Sequence, residues 1–559
     1  MTGPASPRRR AVLKALAGLG VGGPVLHRAV AAAAEAGDVS PEMVRRAEWI
    51  AGVEFTDAER AQVARAARES LADFDALRRV EVGFDVLPAV QFNPAPGLAP
   101  AEGVARNRAV PIASPPVERP ASDDDLAFLP VSRLAALVRS RKVTSVELTR
   151  LYLGRLKRFD PLLKCVVTLT EDLALRQAEA ADAEIAAGKY RGPLHGIPWG
   201  AKDLIAHPGY PTTWGVPQFK DRALDVKATV AARLEEAGAV LVAKLSLGAL
   251  AMGDRWHGGM TRNPWDPRRG SSGSSAGSAS AAAAGLVGFA IGSETLGSIV
   301  SPCRVCGSTG LRPTFGRVSR HGCMSLSWTM DKLGPIARGV EDCALILDAI
   351  HGRDGLDPTA VDRPFAWPPA VDPSRIKIGV PSVDGRPTDD REDARTLRAL
   401  GYEVVPVDLP TRYPAGAVAL MLGTEAAAMF DDFTRRHVEE GLNEWPETFR
   451  VHQLTPAVEY LRAARVRTLL MQDVARLFDQ VDAFLARGAD LTITNLTGHP
   501  SITFPVGLRE REGRQVPRTV TLTGRLYDES TLLAVALACE SAVADPSRRP
   551  PIEAFLAGG

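Results

Sequence analysis

Apolar positions along this chain follow two different periods. Between residues 39 and 83 apolar side chains recur at helical spacing, and Val63, Ala67, Leu71 and Phe74 fall on one face. From about residue 121, segments with helical spacing alternate with short β-rich runs, such as residues 165–170 and the apolar residues 239–243. Helical spacing predicts amphipathic helices, and the short runs predict buried strands. The alternation predicts an α/β fold with a mainly covered sheet, preceded by a helical extension.

The start of one helix is marked by a local motif. Thr144 and Glu147 form the Thr-x-x-Glu pattern of a capping box, in which each side chain accepts a hydrogen bond from the other residue's backbone N–H. Leu148, Leu151 and Tyr152 follow on one face. The pattern therefore predicts a helix that begins at this motif.

The first 36 residues differ from the rest of the chain. Three arginines at positions 8–10 precede an apolar stretch at 15–26 and an alanine-rich run to position 36. This order is typical of an export signal, and Arg-Arg-Ala-Val-Leu-Lys at 9–14 resembles a twin-arginine signal. The alternative is a basic amphipathic helix of the folded domain, which the glycines in this stretch disfavour. We therefore expect residues 1–36 to direct export, which makes the protein periplasmic or secreted.

Prolines dominate the segment that follows the helical extension. Residues 88–120 contain many of them, which predicts an extended connector or a segment wrapped over the main domain. The predicted organisation is therefore a signal at 1–36, a helical extension with a proline-rich connector at 37–120, and the main domain at 121–559.

Composition narrows the possible partners. Hydrophobic residues make up 45% and charged residues 24% of the 559, as in an ordinary globular protein. A net charge of +1 argues against nucleic acid and against an anionic membrane surface. No uninterrupted apolar run of membrane-spanning length occurs after residue 40, so we expect no stable membrane insertion.

The six cysteines are scattered and do not have the spacing of a disulfide framework. Cys303 and Cys306 form a single CxxC without a second pair or accompanying histidines, so a zinc site is disfavoured and buried apolar positions are expected.

Residues 270–280, Gly-Ser-Ser-Gly-Ser-Ser-Ala-Gly-Ser-Ala-Ser, admit four interpretations. A flexible linker is disfavoured because the segment runs straight into an alanine-rich stretch. A phosphate-binding loop would need a following lysine or a GxGxxG motif, which are absent. A nucleophile elbow of the G-x-S-x-G type, centred on Ser275, requires a strand immediately before it, and residues 263–269 have the composition of a loop.

The fourth interpretation is serine–lysine chemistry. Lys202 lies in an apolar stretch upstream, and glycine-flanked Ser298 lies downstream of the loop. A serine hydroxyl needs a neighbouring base before it can attack, and a lysine becomes that base when burial lowers its pKa. Arginine cannot replace it because it stays protonated. Adjacent Asp203 would oppose this effect if its carboxylate faced the amine.

These segments resemble the amidase signature family over roughly residues 125–545. The family's glycine- and serine-rich motifs are similar to residues 272–278, 296–299 and 306–314, and two C-terminal segments, 494–505 and 523–528, also resemble it. The resemblance implies the amidase signature fold, a mixed, mainly covered sheet surrounded by helices. It also implies hydrolysis of a small-molecule amide without a metal or organic cofactor.

The resemblance implies a role for each matching residue. Lys202 corresponds to the general base, Ser274 to the serine that family members hold in a cis peptide and use as a proton relay, and Ser298 to the acyl-accepting nucleophile. Ser272 is an alternative for the middle serine, although the spacing to the nucleophile favours Ser274.

The turn before the nucleophile corresponds to the family's oxyanion hole. The backbone amides of Thr295, Leu296 and Gly297 match its donors. Leu296 replaces a glycine there, Ala276 replaces a glycine in the serine-rich loop, and Val300 stands where many relatives have arginine.

Two other functions remain open at this point. The amidase component of a tRNA-dependent amidotransferase has the same motifs, but it works in the cytoplasm with partner subunits, and the export signal argues against it. A non-catalytic binding protein on the same scaffold is disfavoured by the presence of all three predicted catalytic residues. Packing is the expected role of the neighbouring aromatic residues His195, His257, His499, Trp199 and Trp265.

Overall fold

The structure is a computed structural model that describes residues 39–81, 90, 109–112, 117–369, 371–382, 391–488, 490–543 and 548–557. The predicted export signal at 1–36 and most of the proline-rich connector lie outside the described residues. Among those described, no helix has the length and apolar character needed to cross a membrane.

Helices and strands alternate through most of the described chain. The helices are α1 Pro41–Ala51, α2 Asp57–Arg78, α3 Asp123–Ala127, α4 Val131–Arg139, α5 Ser145–Leu163, α6 Glu171–Ala186, α7 Thr229–Glu236, α8 Ala276–Ala283, α9 Val300–Cys306, α10 Val340–Ile350, α11 Glu392–Ala399, α12 Ala415–Val418, α13 Leu420–Met429, α14 Asp431–Arg435, α15 Trp445–His452, α16 Ala457–Phe478, α17 Asp490–Leu496, α18 Glu529–Ala542 and α19 Ile552–Ala557. Short 3₁₀ turns are found at Pro217–Phe219, Ala249–Ala251 and Pro373–Arg375.

The strands are β1 Val166–Leu169, β2 Pro198–Lys202, β3 Val240–Leu245, β4 Arg255–Trp256, β5 Gly259–Met260, β6 Arg262–Asn263, β7 Asp266–Gly270, β8 Phe289–Glu294, β9 Thr309–Arg312, β10 Lys332–Ala337, β11 Lys377–Pro381, β12 Glu403–Val407, β13 Ala483–Leu485, β14 Ser501–Arg511 and β15 Arg514–Gly524. Eleven of them form one sheet in the order β1-β3-β2-β8-β10-β9-β14-β15-β13-β11-β12. Strand β2 pairs in parallel with β3 and β8, whereas β8 pairs antiparallel with β10, so the sheet is mixed as predicted.

Both faces of the sheet centre are covered. Side chains alternate across a strand, and in β8 Phe289 and Ile291 join one apolar cluster while Ala290 joins another. Helices α5, α6, α8, α10 and α18 pack against the strands. The predicted capping box of α5 is present, with Thr144 accepting from the Glu147 N–H and Glu147 accepting from the Thr144 N–H. The predicted covered α/β sheet is confirmed.

The N-terminal extension is helical, as predicted, and docks on the C-terminal helices. Its helices α1 and α2 pack together, and a second capping box starts α2. Arg78 contacts Glu459 of α16 at 2.6 Å, and Glu59 contacts Arg450 of α15 at 2.9 Å. The extension is therefore held against the main body by ion pairs at both ends of α2.

One segment differs from the expectation. The composition of residues 263–269 predicts a loop, but residues 266–270 form β7, which pairs with β6 in a two-stranded ladder apart from the main sheet. Residues 264–269 include two prolines and two arginines and lack the alternation of apolar and polar residues that marks a half-buried strand. The strand could therefore not be recognised from the sequence. All six cysteines are free, and Cys303 and Cys306 are buried in α9 as expected.

Candidate active site

Sheet topology brings the predicted catalytic segments to one edge. Strands β2 and β8 are parallel neighbours, with Ala201 opposite Ile291, so their carboxyl ends meet there. Lys202 is the last residue of β2, and the Ser298 turn follows β8. The serine-rich loop then enters α8, which packs against both strands.

The Lys202 side chain is fully buried at this edge among serine side chains. Its Nζ lies 2.8 Å from Ser274 Oγ, 3.0 Å from Ser275 Oγ and 2.8 Å from Ser293 Oγ. Burial lowers the pKa of Lys202 to about 7, although Asp331 and Glu294 act in the opposite direction. The predicted proximity of Lys202 and Ser274 is therefore present, with an amine that is partly neutral near pH 7.

Asp203 does not counteract the lowering of the Lys202 pKa, because its carboxylate forms hydrogen bonds with other residues. One oxygen accepts from Lys244 Nζ at 2.7 Å, and the other accepts from the backbone N–H of Thr213 at 2.9 Å and from its hydroxyl at 2.5 Å. Asp203 and Lys244 are both fully buried, so the pair compensates its own charge.

Three serines of the serine-rich loop, Ser272, Ser274 and Ser275, have different surroundings. Ser274 follows a cis peptide bond from Gly273 and contacts the lysine, whereas the Ser272 N–H donates to Asp254. Ser275 is fully buried; its hydroxyl donates to the Ser293 carbonyl at 3.0 Å and accepts from the Ser293 N–H at 3.1 Å. Ser275 therefore ties the loop to β8, which argues against the nucleophile-elbow interpretation.

Ser298 is partly exposed at the start of the turn that leads into α9. Its carbonyl accepts a hydrogen bond from the Ser275 N–H at 3.1 Å, so backbone joins the turn to the serine-rich loop. Within the described residues, the hydroxyls of Ser274 and Ser298 share no hydrogen bond. The structure thus brings Lys202 and Ser274 into direct contact and attaches Ser298 to the residue after Ser274.

Glu294, the last residue of β8, fixes this turn and was not singled out from the sequence. One of its carboxylate oxygens accepts from the backbone N–H groups of Ile299 and Val300 at 2.8 and 2.9 Å. The other accepts from Arg312 at 2.7 Å and from Asn495 at 2.8 Å. Burial alone would raise the pKa of Glu294, but Arg312 and Lys332 outweigh it and lower this pKa to about 2.

Comparisons with known proteins place this chain among its relatives. The family model described as Amidase matches residues 147–487. A glutamyl-tRNA(Gln) amidotransferase subunit from Geobacter metallireducens is 34% identical over 484 residues, which cover 75% of this chain and 98% of the relative. The corresponding protein of Chloroflexus aurantiacus is 35% identical, covering 76% and 99%. This chain belongs to the amidase family.

A solved member of comparable similarity is the native peptide amidase from Stenotrophomonas maltophilia. It is 31% identical, with a TM-score of 0.64, and the match covers 76% of this chain and 98% of that one. Family membership confirms the predicted fold and the predicted class of reaction, hydrolysis of amide C–N bonds.

Leu296 stands where the family motif has glycine, and the turn tolerates it because the leucine side chain is exposed. The Leu296 side chain is 38% exposed, and its backbone does not have the positive φ that would favour glycine. Gly297 has a φ of +93°, and a Cβ atom there would lie 3.0 Å from Ser301 Oγ. Glycine is therefore required at 297 and not at 296.

The aromatic residues near the motifs have the packing roles expected of them. Trp199 stacks on Phe289, and Trp265 donates to the Cys306 carbonyl at 2.8 Å. His499 stacks on Phe478, and burial lowers its pKa to about 3. Among these side chains, none donates to or accepts from the lysine or the serines around it within the described chain.

Proposed function

We propose that this amidase cleaves small-molecule amides through an acyl-enzyme on Ser298. Neutral Lys202 accepts the proton of Ser274, which in turn accepts the proton of Ser298, and the Ser298 oxygen attacks the amide carbonyl carbon. The relay returns the proton to the departing amine as the C–N bond breaks. Water then attacks the acyl-enzyme by the same route in reverse, which releases the carboxylic acid.

The observation that carries this proposal is the contact between Lys202 and Ser274. A fully buried amine with a pKa of about 7 lies 2.8 Å from a serine hydroxyl, which is the arrangement that proton transfer requires. The Ser298 turn is joined to the same loop by the hydrogen bond from the Ser275 N–H to the Ser298 carbonyl. Closure of the gap between the two hydroxyls on substrate binding fits the general observation that catalytic hydrogen bonds tighten in the substrate complex.

We further propose that the amides of Thr295, Leu296 and Gly297 form the oxyanion hole. None of these three N–H groups donates a hydrogen bond within the described part of the chain. The amides of Ile299 and Val300, further along the same turn, donate to Glu294 and are therefore occupied. A single donor of this kind is typically worth about 3 kcal/mol in the transition state.

The natural setting that we propose is an exported, self-sufficient enzyme. The twin-arginine-type segment at 1–36 supports export. The Stenotrophomonas maltophilia protein, matched over 98% of its length, is named a peptide amidase and not a subunit of an amidotransferase, which supports an amidase activity of this chain. The second candidate is one component of an amidotransferase, which the names of the Geobacter and Chloroflexus relatives favour.

Ammonia release separates the two candidates. The purified chain alone, supplied with simple primary amides and without tRNA or partner subunits, should release ammonia in proportion to enzyme concentration. The matched control is Ser298→Ala, which should leave the fold intact and abolish turnover. A wild-type chain that stays inactive alone and acquires activity only with partner subunits would favour the amidotransferase.

A further inference from the structure

A cavity of about 610 Å³ lies behind the proposed catalytic turn. Ser272, two residues before Ser274, and Ser301, in the first turn of α9, both line it. The Ser301 N–H donates to the Gly297 carbonyl at 2.8 Å, so the cavity wall and the turn share a hydrogen bond. The opposite wall is the β14–β15 hairpin.

The charged side chains of this cavity are mostly positive. Among the described residues that line it are Arg269, Arg304, Arg509, Arg511, Arg518 and Asp254. Asp254 is the acidic member, and its carboxylate already accepts from the Ser272 N–H at 3.0 Å. The local balance therefore strongly favours an anion.

Three of the arginines have acidic partners outside the cavity. Glu512 contacts Arg269 at 2.5 Å and Arg511 at 3.9 Å, and Glu392 contacts Arg518 at 2.8 Å. These guanidinium groups are thereby partly neutralised and held in place.

Arg304 and Arg509 are different, because neither has an ion pair within the described residues. Burial lowers the pKa of Arg304, and the neighbouring charge of Arg509 lowers it further. Two like charges thus lie near each other beside the cavity, and in the described part of the chain neither forms an ion pair with a carboxylate. A planar guanidinium binds carboxylate or phosphate oxygens in a bidentate manner.

We propose that this cavity binds an oxyanion, a carboxylate or phosphate group, between Arg304 and Arg509. The anion neutralises the two unpaired guanidinium groups, and the hydroxyls of Ser272 and Ser301 supply further donors. It is either a free anion or the anionic end of an amide substrate, because the cavity adjoins the turn that carries Ser298.

Calorimetric titration of the full-length chain with inorganic phosphate tests this proposal directly and does not depend on catalysis. Arg304→Gln and Arg509→Gln should each weaken phosphate binding by at least about tenfold, because each substitution removes charge-assisted hydrogen bonds to the anion. The control Arg375→Gln removes the same charge from an 86% exposed side chain outside the cavity and should leave the affinity unchanged.

Arg304→Lys keeps the positive charge but lacks the planar guanidinium, so it should bind phosphate with an affinity between those of the wild type and Arg304→Gln. This graded loss would show that the glutamine variants lose anion recognition and are not simply misfolded. Equal affinity in the wild type, the glutamine variants and the control would overturn the proposal, as would the absence of any binding heat in the wild type.

Kinetic measurements with two substrates, a neutral amide and a carboxylate-bearing amide, show whether the bound anion is a free anion or part of the substrate. If the substrate supplies the anion, phosphate competes with the carboxylate-bearing amide alone, and Arg304→Gln raises KM for that substrate alone. If a free anion binds, both KM values respond equally to Arg304→Gln. Either result supports the site and identifies its ligand, and inactivity of the chain on all amides would leave the calorimetric test intact.

Discussion

The protonation state of Lys202 governs the proposed chemistry at the scale of single residues. Burial lowers its pKa to about 7, and a base must be neutral to accept a proton from Ser274. The active fraction therefore increases as the pH rises through this value. We predict that kcat/KM for a neutral amide rises along a single limb with a midpoint near pH 7, measured from about pH 5 to about pH 9.

The same prediction extends to variants of the lysine. Lys202→Arg remains charged at every accessible pH, so acylation should fall by at least about 10²-fold and the pH limb should disappear. Lys202→Ala should lose a similar factor, and circular dichroism with thermal melting would check that both variants fold. Near-wild-type acylation by Lys202→Arg would show that the residue supplies only charge.

The sequence revealed some of these residues and not others. The apolar neighbours of Lys202 and the family resemblance were sufficient to indicate the lysine and Ser274. The sequence left the orientation of Asp203 open, because its contact with Lys244 depends on how β3 pairs with β2. Ser293 was missed as a neighbour of the amine for the same reason, since only the parallel pairing of β2 and β8 brings it there.

At the scale of elements, the turn between β8 and α9 depends on a buried carboxylate. Replacing Glu294 with Gln removes the negative charge that compensates Arg312 and disturbs the acceptor for two amides of α9. Leaving one member of a buried ion pair uncompensated costs about 3 kcal/mol or more. We therefore predict that Glu294→Gln lowers the free energy of unfolding by about that amount, measured by chemical denaturation.

The control for this variant is Glu42→Gln, which removes an exposed carboxylate of α1 and should leave the denaturation midpoint unchanged. An unchanged midpoint in Glu294→Gln as well would mean that the turn does not depend on this carboxylate.

Two neighbouring positions in that turn should respond differently to alanine. Gly297 has a φ of +93° and has Ser301 Oγ 3.0 Å from an added Cβ, so Gly297→Ala must shift the turn and its free amides. Acylation should fall by about tenfold or more, because the oxyanion donors move. Leu296→Ala keeps the amide and the backbone conformation and should acylate at a rate close to wild type. Equal loss in both variants would contradict the requirement for glycine at 297 alone.

The elements differed in how readily they could be predicted. Helix α5 was predicted from its capping box and apolar face, and β3 from an apolar run, because local chemistry specifies both. Strand β7 was missed, since prolines and arginines carry no strand signal and its partner β6 supplies the backbone pairing. The order of the eleven strands in the sheet could not be predicted from the sequence, because it depends on contacts between distant segments.

At the scale of the whole molecule, the docked extension defines where a mature protein could begin. The Ser40 side chain caps α1 at its N-terminus, and α2 is held by ion pairs to α15 and α16. Cleavage near residue 36 would therefore leave the extension intact. We predict that protein exported by a bacterial host begins close to residue 37, as determined by N-terminal sequencing. A product that begins at Met1 or Thr2 and remains in the cytoplasm would contradict the export proposal.

The most direct measurement of the central claim is the site of covalent modification. Wild-type enzyme treated with a fluorophosphonate, which reacts with activated serines, is digested and analysed by mass spectrometry. We predict an adduct on the peptide that contains Ser298, and little labelling in Lys202→Ala, where the base is absent. An adduct on Ser275, or labelling that is unchanged without Lys202, would contradict the proposed mechanism.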